Sequence, residues 1–188
     1  MSASNLATIV FLAAVVGALL WGVALYNRMV KRRNHVEDGW SGIDVQLKRR
    51  HNLIPNLVET VKRYASHEQS LLESVARLRT PSGAGEAGAT GHDERELTRA
   101  LHGLMVQVEA YPELKADENF QQLQQQLEEI ESDIQYARRY YNGAVREYNT
   151  LLQSFPANLL ARQFDFREAE FFELEDDTAR ETPKVDFS

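Results

Sequence analysis

The chain has 188 residues, 43% hydrophobic and 26% charged, with 28 acidic side chains against 21 basic ones and a net charge of −7. There is no cysteine, which excludes disulfides, thiolate nucleophiles and soft-metal sites and suits a reducing compartment. The charge is divided unevenly: residues 28–79 carry 11 Lys/Arg against 6 Asp/Glu, and residues 80–188 carry 10 against 22. The acidic larger part argues against nucleic acid, whose phosphates need a basic footprint.

The first 27 residues contain no Lys, Arg, Asp or Glu. Within them Leu6 to Tyr26 is almost wholly apolar, and as a helix it spans about 31 Å, against a hydrocarbon core of about 30 Å. A cleaved signal peptide would begin with basic residues and end at small ones; this N-terminus is uncharged and the run ends Trp21-Gly22-Val23-Ala24-Leu25-Tyr26. A buried core helix would show a polar face. The expected reading is a transmembrane helix over 6–26, with Trp21 and Tyr26 as interfacial aromatics and Arg28, Lys31, Arg32 and Arg33 as the flanking cations. The positive-inside bias then puts residues 1–5 outside and the chain from about residue 28 in the cytoplasm.

From Val36 onward apolar residues recur at helical spacing: Val36, Trp40, Ile43 and Leu47, then Ile54, Leu57 or Val58, Val61 and Tyr64, then Leu72 and Val75. Pro55, with Asn52 as an N-cap, predicts a kink or restart, and a single helix to Arg79 is the alternative. Residues 80–92, rich in glycine and small residues, predict a flexible loop. A shorter helix is expected from Asp93 to about Tyr111, where Pro112 follows.

The clearest periodicity lies in residues 117–155. There Phe120, Leu123, Leu127, Ile130, Ile134, Ala137, Tyr141, Ala144, Tyr148, Leu151 and Phe155 step by three and four, a coiled-coil-like seam of about 58 Å. Gln121, Gln122, Gln124, Glu128, Glu131 and Arg138 are assigned to the solvent face, and Pro156 ends the helix. A second apolar patch (Leu159, Leu160, Phe164, Phe166, Phe171 and Phe172) is expected to pack back on the helices. The acidic tail, 173–188, is read as mostly irregular. The fold class is all-α: a transmembrane helix followed by a helical domain over 27–172 with long coiled-coil-like helices.

No catalytic constellation is found. The glycines of 83–91 are not followed by the Lys-Ser/Thr of a phosphate loop. None of the histidines 35, 51, 67, 92 and 102 has Glu three residues before it, as helical di-iron sites require. His67-Glu68 lacks the second histidine of a zinc-protease helix. No catalytic, cofactor-binding or metal residues are assigned, and no enzyme activity is expected.

The run from Trp40 to Val61, Trp-Ser-Gly-Ile-Asp-Val-Gln-Leu-Lys-Arg-Arg-His-Asn-Leu-Ile-Pro-Asn-Leu-Val-Glu-Thr-Val, resembles the signature of the LemA family of bacterial membrane proteins. Tyr26-Asn27, Arg33-Asn34, Tyr64, His67-Glu68, Tyr140-Tyr141-Asn142, Tyr148-Asn149 and Phe155-Pro156 extend the likeness over nearly the whole chain. The resemblance implies a bacterial inner-membrane protein with a short outside N-terminus, one transmembrane helix and a cytoplasmic antiparallel helical bundle. It implies no catalytic residues, and some relatives are associated with building or shaping internal membranes.

Two functional expectations follow. Lys48, Arg49, Arg50 and Asn52 are candidates for a surface that meets a partner or anionic lipid headgroups, the bland alternative being a capped, salt-bridged helix. The chain as a whole is expected to be a non-enzymatic scaffold that self-associates through its helical seams and organises the bilayer or a membrane complex. The rival reading is an adaptor that tethers a cytoplasmic partner or membrane protease. The expected partners are anionic lipids, further copies of the chain, or another membrane protein.

Overall fold

The computed structural model describes residues 3–64 and 87–172. The described residues form five helices: α1 (Ala3–Tyr64), α2 (Ala87–Val108), α3 (Pro112–Lys115), α4 (Glu118–Gln153) and α5 (Ala157–Gln163). The fold is all-α, and among the described residues every regular element is helical. The contacts divide the chain into two compact units, one drawn from Met1–Val45 with Gln135–Glu170 and the other from Gln46–Ile134 with Phe171–Ser188.

α1 runs without a break through Pro55, so neither the expected restart nor an N-cap role for Asn52 is seen. Proline removes one amide donor and leaves the carbonyl four residues earlier without its usual partner. Here the buried residues on both sides of it, Ile54, Leu57, Val58 and Val61, hold the helix through that defect. α2 also departs from expectation. It begins at Ala87 rather than Asp93, so residues 87–92 of the predicted loop are helical. Extending an existing helix adds one hydrogen bond per residue fixed, and Ala87 and Ala89 favour it, which offsets the weak propensity of Gly88 and Gly91. Residues 80–86, the stripe positions Leu72 and Val75, and the acidic tail 173–188 lie outside the described residues.

In the first unit, Met29, Val36 and Ile43 of α1 are buried, as are Tyr141, Val145, Tyr148 and Leu152 of α4. Arg32 pairs with Glu147, and Trp40 lies against Tyr141 with ring centroids 5.7 Å apart, so the two stretches are antiparallel. Gly39 makes the close approach possible: a Cβ there would sit 3.1 Å from the Tyr141 Cα and 3.3 Å from the Tyr140 ring. α5 ends with the Phe166 amide donating to the Ala161 carbonyl at 2.9 Å and Asp165 at φ 52°, a Schellman-type stop in which Asp takes the left-handed place usually held by glycine. The chain then runs back along α4. Asn149 donates to the Ala169 carbonyl and accepts from its amide, both at 2.9 Å, and the Tyr141 hydroxyl donates to the Glu170 carbonyl at 2.8 Å.

In the second unit, Ile54, Leu57, Val58 and Val61 of α1 pack with Leu97, Leu104 and Val108 of α2, Leu114 of α3, and Phe120, Leu123 and Leu127 of α4. The start of α4 is capped: the Asp117 carboxylate accepts from the Phe120 amide at 2.8 Å and from the Tyr64 hydroxyl at 2.8 Å. The Phe120 amide, then the Tyr64 hydroxyl, hold the Asp117 carboxyl below its ordinary range. The same bond to Asp117 raises the Tyr64 phenol.

Candidate functional site

Two groups of polar side chains stand out, one in each unit. In the second unit the seven-residue stepping that buries Met29, Val36 and Ile43 continues through Arg50 to Leu57, and Arg50 is 1% exposed. Its Nη1 lies 3.1 Å from Glu131 Oε2 and 3.8 Å from Glu94 Oε2, and its Nη2 donates to Thr98 Oγ1 at 2.6 Å. Glu94, itself 1% exposed, also meets His51 Nε2 at 2.8 Å. A charge this deep is tolerable only when paired and hydrogen-bonded, and the two glutamates supply that pairing. Among the described residues Arg50 Nε and Glu94 Oε2 have no hydrogen-bond partner. Arg50 ties α1 to α2 and α4 at one level, much as a buried polar residue fixes register in a coiled coil.

The second group lies in the first unit, where the apolar stretch of α1 gives way to its basic stretch. A cleft of about 590 Å³ is lined there by Trp21, Leu25, Arg28 and Arg32 of α1, by Arg146, Glu147, Thr150 and Leu151 of α4, and by Ser154–Ala157. Arg28 and Arg146 are exposed and have no ion-pair partner among the described residues, while Arg32 pairs with Glu147. Beside it, Tyr26 meets Phe164 and Phe166 edge-on at 5.0 and 5.5 Å between centroids, and Arg33 stands 5.7 Å over the Phe166 ring. Cation–π and edge contacts of this kind hold the returning segment against α1. Among the described residues, no group of three or more His, Cys, Asp and Glu is placed to hold a metal ion.

The sequence-derived candidates separate accordingly. Of the expected interfacial group, Trp21, Arg28 and Arg32 share the cleft, Tyr26 and Arg33 hold the segment 164–166, and Lys31 is exposed. The cationic run does not form one surface. Lys48 and Asn52 are exposed and Arg49 is paired with Asp133 at 3.4 Å, but Arg50 is internal. Helical rotation explains this, because consecutive residues lie about 100° apart and Arg50 falls on the buried stripe. Glu131, assigned to the solvent face, faces Arg50 for the same reason.

Phe120, Leu123, Leu127, Ile130, Ile134, Tyr141 and Tyr148 of the seam are buried and Leu151 is half-buried. Burial raises the phenols of Tyr141 and Tyr148. Phe155 departs from the seam: it lies beyond the end of α4 and is 81% exposed, while Val145 and Leu152 take buried places. Gly39, Glu94 and Thr98 were not singled out in the sequence. For Arg50 a signal existed, the polar residue midway between Ile43 and Leu57 in a seven-residue apolar repeat; for Glu94 there was none.

The LemA family model matches residues 39–187. The chain belongs to the LemA family. Among curated proteins it is 27% identical to magnetosome protein MamQ 2 of Paramagnetospirillum magneticum, over 85% of this chain and 68% of that one. It is 25% identical to magnetosome protein MamQ of Magnetospirillum gryphiswaldense, over 85% and 70%. Protein LemA of Metamycoplasma hominis is 23% identical, over 85% and 72%. The matched region holds the Arg50 cluster, and it holds the cleft residues contributed by α4 and the turn that follows.

Proposed function

We propose that this LemA-family chain is a single-pass membrane scaffold, with its N-terminus outside, its helical units in the cytoplasm, and no catalytic role. One observation carries the membrane reading. α1 contains an apolar window of mean hydropathy 2.5, none of it buried within the protein. Leu6, Phe11, Leu19 and Leu20 are each more than half exposed, and such a surface needs lipid as its solvent. The cations that follow it support the orientation. The magnetosome names of two relatives favour a structural role over a chemical one.

The seam from Phe120 to Leu152 is covered by the chain itself, so self-association uses other surfaces. Tethering copies to one membrane plane raises their effective concentration, and weak contacts between exposed faces then suffice. Because the chain lacks cysteine, single introduced thiols test the topology. In intact cells a membrane-impermeant maleimide should label Ser4→Cys and leave Glu118→Cys unlabelled; the reverse pattern overturns the orientation. Crosslinking of the full-length protein in its membrane should give discrete oligomers, and a purely monomeric outcome removes the scaffold reading.

A further inference from the structure

We propose that the cleft beside α1 is a headgroup site for an anionic phospholipid, a ligand that deepens the membrane reading and rests on it. Arg28, Arg32 and Arg146 line the cleft against a single carboxylate, Glu147, leaving a surplus of positive charge. Arg32 is already shared with Glu147, whereas Arg28 and Arg146 are exposed cations without an ion-pair partner among the described residues. Guanidinium groups bind phosphate oxygens in bidentate fashion, which an ammonium group does not.

The apolar walls complete the match. Trp21 sits at one end of the cleft and Phe155, 81% exposed, lines it too. From Trp21 to Arg28 the helix rises about 10 Å, comparable with the headgroup layer on one side of a bilayer, roughly 5–8 Å. Aromatic rings therefore stand at the acyl edge and guanidiniums at phosphate level, the amphipathic order of a phospholipid. A free phosphate would use the cations and leave Trp21 and Phe155 without a role.

Full-length protein in a neutral detergent, titrated with phosphatidylglycerol, phosphatidylcholine or inorganic phosphate and read by native mass spectrometry, tests this. Phosphatidylglycerol should saturate at one tightly held molecule per chain, and phosphatidylcholine should bind more weakly. Inorganic phosphate should not displace the lipid. Arg28→Gln with Arg146→Gln should weaken phosphatidylglycerol binding roughly thirty-fold, from the attraction each cation near a membrane surface supplies. Lys31→Gln with Arg162→Gln removes the same charge from exposed positions outside the cleft and should leave binding unchanged. Glu147→Gln should tighten it, a gain that misfolding does not produce. Equal losses in the two double variants, equal binding of both lipids, or displacement by inorganic phosphate would overturn the proposal. Topology is read separately by thiol labelling, so a reversed orientation and an empty cleft are distinguishable failures.

Discussion

In the first unit α1 buries Met29, Val36 and Ile43 and approaches the tyrosines of α4 closely at Gly39, and a returning segment is hydrogen-bonded to Asn149 and Tyr141 of α4. In the second unit the same stepping passes through Arg50 to Leu57, and Leu57 packs with apolar side chains from three further helices. One unit gains specificity from aromatic and backbone contacts made by buried residues; the other holds a buried charge that only particular partners can satisfy. Uniform apolar packing leaves the axial register of long helices poorly determined. Both devices remove that freedom, one through a position that admits no side chain, the other through a position that demands a counter-charge.

The largest expected effect is at Arg50. Arg50→Ala leaves Glu94 buried without its cation and should destabilise the second unit by about 3–5 kcal/mol. Hydrogen exchange should show faster opening of residues 94–131 with little change at 29–43. Uniform acceleration through both stretches would mean that the units do not open separately.

Gly39→Ala is the corresponding test of the first unit. The added methyl meets backbone at 3.1 Å, and overpacking of this kind costs about 1–3 kcal/mol. The loss should appear as a lower urea midpoint, with faster exchange at 141–149. An unchanged midpoint would show that α1 and α4 have slack there.

A smaller effect, with a definite sign in pH, is expected at Asp117. Its folded pKa lies below the ordinary 3.8 because it accepts from the Phe120 amide and the Tyr64 hydroxyl. The stabilisation is therefore present above pH 4 and is lost as pH falls through the depressed value. Asp117→Asn should flatten the acid limb of a thermal-melt series and, because the bond to Asp117 also raises the Tyr64 phenol, soften the loss of stability above pH 10. At the high-pH end, ionisation of the buried Tyr141 and Tyr148, whose phenols are raised, should destabilise the first unit as pH climbs past 10.

The smallest effect belongs to Phe155→Ser, within about 0.5 kcal/mol, as expected of an exposed site. A large loss of stability would restore Phe155 to the seam.

Much of the helical content was legible because amphipathic spacing is a local property. The run from Phe120 to Tyr148 needs only its own sequence to define a buried stripe, and uncharged residues before Arg28 need only their own hydropathy. Local rules failed where a neighbour decided the outcome. Pro55 did not stop α1, because packing on both sides outweighs one missing hydrogen bond. Residues 87–92 are helical although their composition favours a loop.

Side-chain roles divide in the same way. Length, hydropathy and flanking charge identify an apolar first helix and a cationic neighbour to it, because those quantities are sums over adjacent residues. That Arg50 is interior while Arg49 and Lys48 are not depends on rotation about a helix axis and on Glu94 and Glu131, which lie 44 and 81 residues away. That Arg146 stands with Arg28 and Arg32 in one cleft depends on the antiparallel pairing of α1 with α4 in the first unit. Local sequence sets which face of a helix is apolar; only the folded chain decides which distant charge meets it.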